Sequence, residues 1–261
     1  MGRAWSSAPA ARVFALGGAL LACLAGSAWA KGPHVAGGAG ARARHDAYGT
    51  LKLNGEETEV RWTDGDSFKA RSGPYRGHGT RLKGYNTLEA YGPVHRWGEW
   101  TARELFALAE KSASVAAAKA WACTSDGKVD GYGRLLVDCP ELTRHMVRVG
   151  YGMAYSVEGE AAPPDVLALQ RQAIAAKEGM WAKGAPKGVV TSVHSVGEEG
   201  SKSTEAYNRV ADTRDGRAAL RKHRLRYQTC QEVCLETDGD TSCMVYVPFE
   251  RRYRDRPDCL R

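Results

Sequence analysis

Residues 48–86 read YGTLKLNGEETEVRWTDGDSFKARSGPYRGHGTRLKGYN. Three short runs inside this stretch alternate between apolar and polar positions: Leu51-Lys52-Leu53, Glu59-Val60-Arg61-Trp62 and Ser67-Phe68-Lys69-Ala70. A period of two puts successive side chains on opposite faces, so the stretch predicts several short, half-buried strands. Ser72-Gly73-Pro74 and His78-Gly79 separate them as turns.

Further along the chain the texture becomes helical. Trp97, Thr101, Leu105 and Leu108 are spaced to share one helical face, which predicts a helix over about 94–111. A strand near 114–123, a loop through Asp126-Gly127 and a strand over about 134–139 follow. Glu141 to Val149 reads as a short helix stopped at Gly150, and Pro163-Pro164 opens another, with Val166, Leu169 and Ala173 on one face. Strands first and helices after, with little βαβ alternation, predict an α+β fold with a small barrel among the candidates. Trp97, Trp100, Trp121 and Trp181 are expected in the core. With 43% hydrophobic and 26% charged residues, the composition excludes disorder throughout and a multi-span membrane protein.

Residues 1–30 read as an export signal. Arg3 and Arg12 precede an apolar run from Val13 to Gly26 that is too short to span a bilayer, and Ala28-Trp29-Ala30 offers a cleavage site. Leu20-Leu21-Ala22-Cys23 also resembles a lipobox, which would leave the exported protein anchored through a lipid on Cys23. Residues 31–45 are rich in Gly, Ala and Arg and read as a flexible leader. Export places the remaining six cysteines in an oxidising compartment, where disulfides are favoured over zinc. Cys123 and Cys139 lie equidistant from Gly131, which suits a bridge across an antiparallel pair. Cys230, Cys234, Cys243 and Cys259 then form two further bridges, in preference to a zinc site at Cys230-x3-Cys234.

Residues 46–183 form the main body, 184–204 a linker, and 205–261 a basic, cysteine-rich extension. The extension reads as a helix-compatible stretch over 205–231, then a hairpin over 233–249 turning at Asp238-Gly239-Asp240. The net charge of +7 is uneven, because residues 46–183 hold 18 basic and 18 acidic side chains. Between Tyr207 and Tyr227 there are seven Lys or Arg against two Asp. Such a tail suits nucleic-acid backbone or an anionic envelope surface. His78, His95, His145, His194 and His223 show no metal-ligand spacing.

The chemistry-bearing residues are Asp64-Gly65-Asp66 at a strand–turn junction, Arg81, the run Asn86-Thr87-Leu88-Glu89, and Tyr132-Gly133-Arg134. Clustered oxygens bind a hard cation, arginines stabilise charge on phosphorus-bound oxygens, and a free carboxylate takes a proton from water. Together they can cleave a phosphodiester. The order WTDGDSFKA, RLKGYNTLEA, YGPVHRWGEWT, DGYGRLLV, HMVRVGYGMAY and AIAAKEGMW resembles the staphylococcal nuclease (thermonuclease) family over roughly 48–183. That resemblance implies an OB-type five-stranded barrel flanked by about three helices, one bound calcium ion, and hydrolysis of DNA or RNA with little sequence preference. It implies Asp66, Asn86 and the Thr87 carbonyl as calcium ligands and Glu89 as general base. It implies Arg81 and Arg134 as phosphate-binding arginines, and Tyr132 and Tyr155 lining the nucleotide pocket. Two positions depart from the family pattern: Asn86 replaces an Asp, and Leu88 replaces a Pro. The alternative expectation is a nuclease-like fold without catalysis that binds nucleic acid or envelope. Either is expected to act as a monomer without a membrane span.

Overall fold

The computed structural model describes residues 46–157, 159–198, 202–237, 240–252 and 258–260. The signal, the leader, Cys23 and the Asp238-Gly239 turn lie outside the described residues. The chain is α+β, with three α-helices and fourteen strands among the described residues.

The alternating runs form strands as expected. β1 (Ala47–Leu53) and β2 (Glu56–Trp62) make an antiparallel hairpin in register from Ala47↔Trp62 to Leu53↔Glu56, turning at Asn54-Gly55, and β2 pairs onward with β3 (Phe68–Ala70). The inward set Leu51, Leu53, Val60, Trp62 and Phe68 is fully buried. β7 (Ala122–Cys123) adds to the other side of β1 in parallel, giving the order β3-β2-β1-β7. The pairing continues past β3 through a Lys69↔Gly79 bridge to β4 (Thr80–Leu82), which runs parallel to β8 (Leu135–Val137). A Thr124↔Asp138 bridge joins the ends of β8 and β7, so the circuit of backbone pairings returns to its start. The Cys123–Cys139 disulfide lies beside that bridge.

β5 (Tyr85–Thr87) pairs antiparallel with β9 (Gly152–Ala154). α2 (Pro140–Arg148) covers the core with Leu142, Met146 and Val147, and α3 (Pro164–Ala175) follows with Val166 and Ala173 buried.

The expected helix over 94–111 is corrected. Residues Val94–Trp97 are a strand, β6, and the helix, α1, runs Ala102–Ala116. Thr101 caps it through a capping box with Glu104, which fixes the start of the helix past Trp97. Gly98 sits at φ +51, and a Cβ there would lie 2.4 Å from the Lys183 carbonyl oxygen. The expected strand over 114–123 shrinks to β7 because α1 continues through Ala116.

Beyond Trp181 the expectations change most. Within 184–204, residues Gly188–Val193 form β10. The stretch 205–231, read as helix-compatible, instead makes β11 (Ala206–Asp212) and β12 (Ala218–His223) in a sheet of order β10-β11-β12. The hairpin forms as expected from β13 (Glu232–Thr237) and β14 (Asp240–Val245). β14 also pairs with β6, in register from Ser242↔Trp97 to Val245↔Val94. A second apolar cluster, with Leu88, Trp97, Leu105, Met180 and Trp181, takes in Val189 of β10 and Ala211 of β11. Trp97, Trp121 and Trp181 are buried and Trp100 is half-buried.

β6 carries a buried titratable group. His95 is 1% exposed, with its ring edge-on to Trp97 at 5.8 Å, and burial drives its imidazole down to about 3 against the opposing Val190 backbone. Below an ordinary imidazole pKa of ~6.5 the unfolded chain takes up a proton that the folded chain refuses. Stability should therefore fall with decreasing pH from ~6.5 towards 3, at roughly 1.4 kcal/mol per pH unit. Urea unfolding at pH 7 and pH 5 should show a loss of ~2 kcal/mol that His95→Leu largely removes. An equal loss in the variant would place the acid sensitivity elsewhere.

Candidate functional site

The site is assembled where β3, β4 and β5 come together. Gly65 lies between the two carboxylates because nothing larger fits. A Cβ there would lie 2.7 Å from Thr87 Cγ2 and 2.8 Å from Met146 Cε and Ser112 Cβ. Its carbonyl accepts from the Tyr85 hydroxyl at 2.6 Å, tying the turn to β5. The Asp64 carboxylate accepts from the Asp66 N–H at 3.2 Å.

Asp66 is 2% exposed and both of its oxygens accept hydrogen bonds. Oδ1 accepts from Arg81 Nη1 at 2.7 Å and from the Ser67 hydroxyl at 3.0 Å, and Oδ2 accepts from the Thr87 N–H at 2.9 Å. The second guanidinium nitrogen of Arg81, Nη2, donates to Asn86 Oδ1, so one arginine bridges the two side chains expected to hold a cation. Asn86 Nδ2 donates in turn to the Thr87 carbonyl at 2.8 Å. Arg81 also lies over the Tyr155 ring, 5.9 Å from its centroid.

Three carboxylates surround this arginine. Burial, then the charges of Asp66 and Glu89, push the Asp64 carboxyl well above the ordinary carboxylate range against the pull of Arg81. Glu89, half-buried, is also pushed up, by burial first and Asp66 second, while Arg81, Arg252 and Arg134 oppose the shift. Asp66, Asn86 and the Thr87 carbonyl offer only oxygens, the donor type that a hard cation takes, and here those oxygens accept from Arg81 and from Asn86 Nδ2.

Arg134 belongs to a second group. Asp130 Oδ1 accepts from the N–H groups of Tyr132 at 2.9 Å and Arg134 at 3.0 Å, while Oδ2 takes Arg134 Nε at 2.8 Å and Nη2 at 2.7 Å. These donors hold Asp130 below the ordinary range despite its burial. Tyr132 is 69% exposed, with the Arg134 guanidinium 5.6 Å from its ring centroid. The structure thus gathers Asp66, Arg81, Asn86, Thr87 and Tyr155 in one group and Tyr132 with Arg134 in the other. Glu89 lies within electrostatic reach of arginines from both.

Sequence reasoning missed Arg252 and Tyr207. Arg252 pairs with Glu198, donates Nε to the Val247 carbonyl at 3.1 Å, and contributes to the field at Glu89. The Tyr207 hydroxyl lies 3.3 Å from that of Tyr132. No local signal ties either residue to the body, because both are placed by the β11 and β14 pairings.

The six cysteines among the described residues are all bridged, as Cys123–Cys139, Cys230–Cys259 and Cys234–Cys243. The tight group Glu232, Cys234 and Cys243 is therefore no metal site, because its two sulfurs are bonded to each other. No helix among the described residues is long and apolar enough to cross a membrane. No protein-family model matches the chain, and no curated protein matches it.

Proposed function

We propose that the protein is an exported, calcium-dependent nuclease of the staphylococcal nuclease type, built on an OB-type barrel and cleaving DNA or RNA with little sequence preference. The observation that carries this reading is the desolvated carboxyl of Glu89 within electrostatic reach of both Arg81 and Arg134. The closed circuit of strand pairings supports the barrel, and the three disulfides support an oxidising compartment.

In this reading Glu89 takes the proton of the attacking water, since burial and the Asp66 charge make its carboxylate the stronger base. Arg81 and Arg134 neutralise charge developing on the phosphorus-bound oxygens. Asp66, Asn86 and the Thr87 carbonyl would hold calcium, which would supply further positive charge at those oxygens. Tyr132 is exposed beside Arg134 and offers aromatic surface to the nucleotide, while the buried ring of Tyr155 backs Arg81.

A second reading, a nuclease-like module that binds without cleaving, draws on one observation. The oxygens of Asn86 and Thr87 already have internal partners, and Arg81 already neutralises Asp66. The two readings separate in a single assay. Plasmid DNA should be degraded in calcium and remain intact in chelator, with Asn86→Asp lowering the calcium concentration needed for half-maximal rate. Folded protein that leaves DNA intact at saturating calcium would favour the module. An unchanged calcium midpoint in the variant would remove Asn86 from the ligand set.

A further inference from the structure

The β10-β11-β12 sheet is buried at one end and open at the other, and its chemistry changes along its length. Val189, Ala211 and Ala218 lie on one face, since Ala211 is opposite both Val189 and Ala218, and that face packs on the second core cluster. Alternation along β11 puts Arg209 and Tyr207 on this same body-facing side, two and four residues beyond Ala211. Their cross-strand partners are Leu220 and Lys222, which share the face.

On the opposite face Val190, Val193 and Val210 are buried, with Val190 and Val193 packed on Val233, Met244 and Tyr246, while Ala219 and Arg221 of β12 are exposed. A sheet that ended in plain packing would carry apolar residues on both sides. Here the body-facing side beyond Ala211 carries an aromatic ring, two cations and an apolar side chain. Leu220 is 52% exposed and Lys222 is exposed.

This open end meets the body at Tyr132. The two tyrosine hydroxyls are 3.3 Å apart, the Arg209 guanidinium lies 5.6 Å from the Tyr207 ring centroid, and His194 packs on that ring at 4.6 Å. Two cation–aromatic pairs, Arg134 with Tyr132 and Arg209 with Tyr207, therefore form a row that meets at the two hydroxyls, with Lys222 opposite Tyr207 on β12. Cations that follow a phosphate backbone, interleaved with rings that accept unstacked bases, are what a single strand needs and a duplex cannot use fully.

We propose that this row is a binding track for single-stranded nucleic acid, holding the nucleotides beyond the one at Arg134. The proposal rests on the nuclease reading for the placement of the strand relative to the reacting phosphate. Binding to the track itself requires no catalysis.

The test uses the full chain carrying Glu89→Gln and a fluorescein-labelled twelve-nucleotide oligothymidine, read by fluorescence anisotropy over a range of salt concentrations. Adding Arg209→Ala and Lys222→Ala should weaken binding and reduce the slope of log affinity against log salt by ~1.4, since each lost phosphate contact on a single strand contributes roughly 0.7. Adding Tyr132→Ala instead should weaken binding by about tenfold with little change in the salt slope. Affinity and slope unchanged in the Arg209/Lys222 variant, with its thermal unfolding also unchanged, would overturn the proposal. Cleavage of a dinucleotide by the unsubstituted protein without oligothymidine binding to the row would overturn the track and leave the nuclease reading standing. Losses as expected from a protein that cleaves nothing would support the track and remove the nuclease reading.

Discussion

Glu89→Gln is expected to lower DNA cleavage by about a thousandfold, the middle of the range for loss of a general base. The amide keeps the shape of the side chain and loses only the capacity to take a proton. Stability should not fall with activity. In the folded protein burial and Asp66 both disfavour the ionised glutamate, so a neutral side chain relieves repulsion instead of creating it. The signature is an inactive protein whose urea midpoint is equal to or higher than that of the unsubstituted chain. A variant retaining about a tenth or more of the rate would mean that another group accepts the proton, against the contribution a positioned base makes. Asp64, whose carboxyl is also pushed up in the same cluster, would be the next residue to replace.

Arg81→Met should behave in the opposite sense, losing activity and stability together. Asp66 would keep the Ser67 hydroxyl and the Thr87 N–H but lose its hydrogen-bonded cation, at 3% side-chain exposure. Breaking a buried pair by removing one partner costs about 3–5 kcal/mol, and the 18% side-chain exposure of Arg81 argues for about 3. The second variant Asp66→Asn, combined with Arg81→Met, should recover most of that loss by removing the orphaned charge. Urea unfolding of the two single variants and the double variant completes the cycle. Costs that simply add would mean that the two side chains do not stabilise each other.

Much of the body was legible in the sequence because its strands bury one face. Leu51, Leu53, Val60, Trp62 and Phe68 alternate with exposed or half-exposed positions, and that pattern admits only one kind of element. The helix start was misread where two patterns overlap. Trp97, Thr101, Leu105 and Leu108 are spaced as a helical face, yet Trp97 is buried from a strand and Thr101 is the cap. The Thr101-x-x-Glu104 box was the signal that could have separated them.

The tail was less legible for a physical reason. β12 has exposed side chains at four consecutive positions, 219–222, so no apolar alternation marks it, and its run of cations suits a helix equally well. The candidate site divided in the same way. Asp66, Arg81, Asn86 and Glu89 are close in sequence, and local chemistry nominates them. Arg252 and Tyr207 reach the site only through strand pairing, which a linear reading does not reveal.

The pairing of β6 with β14 also orders events in time. β6 begins five residues after Glu89, whereas its partner, β14, comes after every other strand among the described residues. A chain still emerging from a ribosome or a translocation pore has an uncovered β6 edge, and Val94 lacks the Val247 and Leu260 it packs against. Completion of the segment that follows Glu89 must therefore wait for β14. If the chain is exported unfolded, the segment that follows Glu89 stays unfinished until β14 has crossed behind it.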